Sequence, residues 1–95
     1  MIWGFDNYAN AEDAVVLDVR MPFEYSAGHL PGSINIPFNQ LKKLETVVPE
    51  KNRAIFVYCM TGARSARAKK LLEVLGYTDV RDLGGISGYE GQLVQ

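Results

Sequence analysis

The chain has one cysteine, Cys59, and one histidine, His29. A lone cysteine excludes an internal disulfide, and it cannot supply the paired thiolates of a structural zinc site. No set of metal ligands and no cofactor motif is present. Long apolar runs are also missing, and none approaches the ~20 residues that a membrane-spanning helix needs. The opening, Met1-Ile2-Trp3-Gly4-Phe5-Asp6, lacks the basic start and apolar stretch of a signal peptide. The expectation is a cytoplasmic protein, although an exported protein that has lost its leader would read the same way. Charge of one sign is not in excess, with a formal net charge of -1. That balance gives no global field for nucleic acid or for an anionic membrane.

What is present reads as one small globular domain. The 95 residues are 47% hydrophobic and 22% charged, enough apolar material for a core, without repeats or low-complexity segments. Short β-rich runs alternate with helical segments, which points to an α/β domain with a largely parallel sheet. Val15 to Val19 reads as a buried strand, and Pro22 opens a short helical turn through Tyr25. Ser33 to Ile36 is a second strand, stopped by Pro37. Phe38, Leu41 and Leu44 are spaced for a short amphipathic helix. Ala54 to Tyr58 is the clearest strand, and Cys59 follows it directly. A helix is expected from Arg64 or Ser65 to Leu75, with Ala68, Leu71, Leu72 and Leu75 on one face and Gly76 at its C-terminal cap. Asp79 to Leu83 is a fourth strand, Gly84-Gly85 a turn, and Ile86 to Leu93 a last short helix. Ile2 to Phe5 is expected as an edge strand.

The chemistry concentrates in Tyr58-Cys59-Met60-Thr61-Gly62-Ala63-Arg64-Ser65. This segment leaves the carboxyl end of a strand and enters a helix, the edge where open α/β sheets bind ligands. Backbone N–H groups of such a loop converge into an anion-binding nest, and the first turn of the helix adds unpaired N–H groups. A thiolate held there is stabilised relative to the thiol. The same environment favours the anionic outer sulfur of a persulfide. Arg64 lies within the loop, where its guanidinium can reach an anion over the cysteine. Ser65 reads as a helix cap. Thr61 has two open readings, a hydroxyl donor to the bound sulfur or a loop support. Arg67, Lys69 and Lys70 read as a solvated helix face. An Arg20–Glu24 ion pair and a buried bond from Asp18 are expected to support the neighbouring loops. His29, between Gly28 and Leu30-Pro31-Gly32, reads as a loop-packing residue and not as a base.

These residues carry a family resemblance. Cys59 to Ser65 resembles the active-site motif of rhodanese domains, C-x-x-G-x-R-S. An upstream stretch agrees: Leu17-Asp18-Val19-Arg20, Pro22, Glu24-Tyr25, and Gly28 through Pro37. Leu75-Gly76-Tyr77, Val80 and Leu83-Gly84-Gly85 resemble the family's ending. The resemblance covers about residues 14 to 91. It implies a doubly wound, mostly parallel sheet flanked by helices, and a persulfide on Cys59 cradled by Met60, Thr61, Gly62, Ala63, Arg64 and Ser65. It implies structural roles for Asp18, Arg20, Glu24 and His29. The implied activity moves sulfane sulfur from thiosulfate, polysulfide or a persulfide to cyanide or a thiol. The implied partners are small sulfur donors and acceptors, with a protein thiol as a further acceptor.

Three departures stand out. Met60 and Thr61 are neutral where some thiosulfate-using members carry basic residues. Tyr89 stands where a Trp often follows the Gly-Gly pair. The segment before Val15 is short. Two other classes compete with this reading. Related phosphatases and arsenate reductases have C-x5-R, whereas Cys59 to Arg64 gives C-x4-R, a loop better suited to one sulfur atom than to a tetrahedral oxyanion. Non-catalytic binding relatives typically lack the cysteine, which this chain keeps.

Overall fold

The computed structural model describes Gly4, Phe5, Tyr8 and residues 13–95. The strands are β1 (Val15–Asp18), β2 (Ile34–Asn35), β3 (Ile55–Cys59) and β4 (Val80–Gly85). They pair in parallel in the order β2-β1-β3-β4. The helices are α1 (Pro22–Ala27), α2 (Leu44–Val47) and α3 (Ala63–Val74), with 3-10 turns at Phe38–Lys43 and Ile86–Gly88. No helix among the described residues is long and apolar enough to cross a membrane.

Strand alternation divides the core into two clusters. Leu17, Ile55, Val57 and Cys59 pack with Leu41, Leu44, Ala68 and Leu72 from the 3-10 turn, α2 and α3. Val16, Phe56 and Tyr58 pack with Leu30, Leu83 and Ile86, and Phe5, Tyr8 and Tyr89 lie at the margin of that cluster. Every residue of β3 is buried, as a central parallel strand covered on both faces requires. From β1 the chain reaches β2 on one side of the sheet, and β3 continues to β4 on the other. The carboxyl ends of β1 and β3 are therefore adjacent, with Asp18 opposite Tyr58. That is the switch point at which a doubly wound sheet opens a binding crevice.

Several elements differ from the sequence expectation. Phe38 and Leu41 lie on a 3-10 turn, and Leu44 begins α2. The expected short helix is thus 3-10 over most of its length, in keeping with a spacing of three, the period of a 3-10 helix. The long helix begins at Ala63, earlier than expected. Leu71 is 45% exposed, while Ala68 and Leu72 are fully buried. It sits at the margin of a stripe too narrow to bury all four apolar residues. Gly84 and Gly85 are the last residues of β4 and do not form a turn, and the expected final helix is only the Ile86–Gly88 turn. Of the expected edge strand, Ile2 and Trp3 lie outside the described residues, and Phe5 is helical.

Candidate active site

Cys59 is the last residue of β3, and its Sγ sits at the mouth of α3. The Gly62 N–H donates to Sγ at 2.9 Å, and the Ser65 N–H donates to it at 3.4 Å. Gly62 is the N-cap residue of α3 with φ of 101°, a left-handed conformation that glycine adopts without a Cβ penalty. This reversal lets the chain turn back under the sulfur, so two N–H groups three residues apart converge on one atom. Cys59 is 1% exposed, so its sulfur is enclosed by its own loop.

The neighbouring strand shapes the loop from below. Gly85 pairs with Cys59 across the sheet. A Cβ on Gly85 would lie 2.6 Å from the Met60 carbonyl oxygen and 2.7 Å from the Thr61 backbone. The register slips between Val57 and Tyr58, which face Asp82 and Gly84 in turn. Leu83 is thereby bulged out of the ladder. The Gly84 N–H donates to the Asp82 carboxylate at 2.8 Å, and the Ser87 N–H donates to the Met60 carbonyl at 3.2 Å. Glycine at 85 thus permits a close approach of two backbones. The Gly-Gly pair is the signal in the sequence, and it marks this close approach within β4 and not a turn.

Ser65 does not cap the helix. It lies inside the first turn of α3, and its hydroxyl donates to the Gly62 carbonyl at 3.1 Å and the Gly84 carbonyl at 3.4 Å. It joins the loop to β4 while its N–H serves the sulfur. Met60, Thr61 and Ala63 are exposed along the rim.

Arg64 is not poised over the sulfur as a free cation. Its two terminal nitrogens bond the two carboxylate oxygens of Glu24, at 2.9 and 3.1 Å. The Arg64 guanidinium, helped by the Met21 N–H, outweighs partial burial and brings the Glu24 pKa down to about 2. The Arg64 pKa is raised in turn, first by the Glu24 hydrogen bonds and to a smaller degree by the nearby Cys59.

The expected Arg20–Glu24 pair is replaced by a different one. Arg20 Nε and one terminal nitrogen bond the Asp18 carboxylate at 2.7–3.0 Å, and the same terminal nitrogen bonds the Gly28 carbonyl at 2.7 Å. Arg20 lies before α1, so it has no helical i,i+4 relation to Glu24. Asp18 also accepts the Arg20 N–H at 2.8 Å, and both residues are buried. The Asn35 amide donates to the Asp18 and Arg20 carbonyls, which fixes the turn after β1. His29 stacks on Tyr25 with ring centroids 3.6 Å apart, and its Nδ1 lies 2.8 Å from the Tyr25 carbonyl. Its backbone pairs with Val94. Of the α3 cations, Lys69 pairs with Glu73 and Arg67 lies over the Phe38 ring.

The arrangement suits a sulfur nucleophile that alternates between two anionic states. Hydrogen bonds aimed at an anion are about twice as strong as neutral ones. Here they come from rigid backbone, so nothing must reorganise as charge develops. Thiolate attack needs no neighbouring base.

Residues 5–92 match a family described as the rhodanese-like domain. The chain is 44% identical over 71 residues to thiosulfate sulfurtransferase PspE of Escherichia coli, an alignment covering 74% of this chain and 68% of that protein. It is 40% identical over 79 residues to the adenylyltransferase and sulfurtransferase uba4 of Ogataea parapolymorpha, covering 82% of this chain and 20% of that longer protein. Among solved structures, a rhodanese with anions from E. coli superimposes with a TM-score of 0.80 at 38% identity, covering 86% of this chain and 98% of that one.

Proposed function

The chain belongs to the rhodanese-like domain family, and we propose that it is a rhodanese-type sulfurtransferase that carries sulfane sulfur as a persulfide on Cys59. The observation that carries this reading is the pair of N–H groups, from Gly62 and Ser65, aimed at Cys59 Sγ. In the first half-reaction the Cys59 thiolate attacks the outer sulfur of a donor. With thiosulfate, a new S–S bond forms on Cys59, the bond to the sulfonate sulfur breaks, and sulfite departs with the electron pair. With an organic persulfide, the leaving group is the donor thiolate. In the second half-reaction a thiophile attacks the outer sulfur of the Cys59 persulfide. Cyanide leaves as thiocyanate, a thiolate leaves as a new persulfide, and Cys59 returns as thiolate. No net oxidant or proton is needed, so the loop only has to stabilise negative charge on sulfur in both resting states.

The donor remains a matter of charge. Met60 and Thr61 are neutral and Arg64 is paired with Glu24, so the site offers a dianion such as thiosulfate little beyond its backbone N–H groups. This favours singly charged organic persulfides as donors. A protein thiol would need to present its cysteine on a slender, mobile segment, because Cys59 is 1% exposed. A cytoplasmic setting, where such thiols stay reduced, suits the chemistry.

Intact mass spectrometry after exposure to thiosulfate, polysulfide and a small persulfide tests the reading. The expected result is a gain of one sulfur atom that Cys59→Ala abolishes and that cyanide discharges as thiocyanate. Equal thiocyanate turnover by wild type and Cys59→Ala would overturn it.

A further inference from the structure

A groove of ≈ 450 Å³ opens beside the reactive loop, with Phe23, Met60, Ile86 and Leu93 as apolar walls and Arg20 and Glu24 as its charged lining. Three of these apolar residues are open to solvent, Phe23 at 75%, Leu93 at 40% and Met60 at 38%, over a floor formed by buried Ile86. Exposed apolar clusters next to a reactive centre mark a contact surface. The groove meets the site at Met60, the residue directly after Cys59.

Its charged groups are already satisfied. Arg20 is bonded to Asp18 and the Gly28 carbonyl, and both oxygens of Glu24 are bonded to Arg64. A small inorganic anion therefore gains nothing from this groove, whereas a hydrocarbon chain gains burial. The volume falls within the ~300–1,000 Å³ of small-molecule sites. Its nine lining residues fall well short of the ~20–30 residues that each partner brings to a stable protein interface. The far wall is fixed in place. Val94 and His29 exchange backbone hydrogen bonds at 2.9 and 3.0 Å, and the Gln95 side-chain amide bonds the Ala27 carbonyl at 3.1 Å. Leu93 lies against Gly28, where a Cβ would sit 3.3 Å from its Cδ1.

We propose that this groove holds the hydrocarbon chain of a small organic thiol, which acts as the sulfur acceptor; the proposal rests on the sulfurtransferase reading. The chain lies along Phe23, Met60 and Leu93 while the thiolate attacks the outer sulfur of the Cys59 persulfide. A bond forms between the acceptor sulfur and the outer sulfur. The bond from the outer sulfur to Cys59 Sγ breaks, and Sγ keeps the electron pair. The product is the acceptor's persulfide anion. Phe23, Met60 and Leu93 are specificity residues in this scheme and take no part in bond making.

The test uses the intact chain. Cys59 is loaded with sulfur, loading is verified by mass, and discharge is followed with straight-chain thiols from ethanethiol to hexanethiol and with cyanide. A buried methylene contributes about 0.8 kcal/mol, or about fourfold in rate, so kcat/KM is expected to rise about two- to fourfold per added carbon. Replacing both Phe23→Ser and Leu93→Ser should flatten that rise and lower the hexanethiol-to-cyanide ratio at least fivefold. A parallel NMR titration with methyl hexyl sulfide, which cannot accept sulfur, should shift amides at Phe23, Met60 and Leu93. A flat chain-length series on normally loaded protein would overturn the groove and leave sulfur transfer standing. Failure of Cys59 to load would sink sulfur transfer, and the titration would then decide the groove alone. Shifts at those three residues would retain it as a chain-binding site; shifts elsewhere, or none, would remove it. A dimer in sedimentation that Phe23→Ser disperses would assign the face to a second copy instead.

Discussion

Arg64 grips Glu24 with a two-pronged bond, at 2.9 and 3.1 Å, across 40 residues of chain. The contact ties the loop after Cys59 to α1, so the Arg in the motif acts as an anchor for the cradle. Side-chain exposures of 35% for Arg64 and 15% for Glu24 place the pair between a surface ion pair and a buried one.

Arg64→Ala is expected to lower stability by about 1–2 kcal/mol, a charge-assisted bond discounted for partial exposure, and to slow sulfur transfer as well. Urea denaturation alongside thiocyanate release would check both. A free, donor-guiding arginine would instead lower activity alone. A double-mutant cycle with Glu24→Gln should give a coupling of about 1 kcal/mol.

Acid should weaken the same contact. The Glu24 pKa falls from its usual 4.5 to about 2 in the fold. A depressed carboxylate contributes its full stabilisation above the unfolded value and loses it as pH falls through the folded value. The stability difference between wild type and Glu24→Gln should therefore shrink from pH 4.5 downward and vanish near pH 2. Denaturant midpoints measured across that range would show it.

Gly85→Ala should disable the site without touching the nucleophile. Its Cβ would lie 2.6 Å from the Met60 carbonyl oxygen, so the loop must move. A displacement of about 1 Å can cost ~100-fold in rate, and forced overpacking typically costs ~1–3 kcal/mol. Thiocyanate kinetics with a quantified free thiol would separate a displaced loop from a lost cysteine.

Asp18→Ala should be the most destabilising of these changes. It leaves Arg20, 2% exposed, as a buried cation without its carboxylate, at a cost of about 3–5 kcal/mol. Thermal melting should show a large drop before any kinetic change can be interpreted.

Wild type should also show no useful turnover of an aryl phosphate. The two N–H groups converge on Sγ itself, whereas phosphoryl transfer needs donors around three equatorial oxygens. Turnover of p-nitrophenyl phosphate comparable with thiocyanate release would contradict the sulfur-sized cradle.

Much of the fold was legible because its signals are local. The run Val15 to Asp18, the all-buried Ile55 to Cys59 and the helix ending before Gly76 follow from side-chain type and period. The Cys59 loop was legible because Cys59 to Ser65 is contiguous in sequence. What escaped was long-range. Spacing could not tell that Arg64 would choose Glu24, or that Arg20 would turn back to Asp18. The role of Gly85 depends on how closely β4 passes beneath Met60, a tertiary distance that a Gly-Gly pair alone does not encode. Three-residue spacing from Phe38 fits α and 3-10 geometry alike, so packing decided it.

The enclosure of Cys59 has a consequence for how the protein behaves in air. Cys59 is the one cysteine in the sequence, and it is 1% exposed at the carboxyl end of a buried strand. A disulfide requires two Cα atoms within about 7 Å, an approach that burial of Cys59 opposes while the domain stays folded. Oxidised preparations should therefore run as monomers on a non-reducing gel, with covalent cross-linking arising only after the domain unfolds.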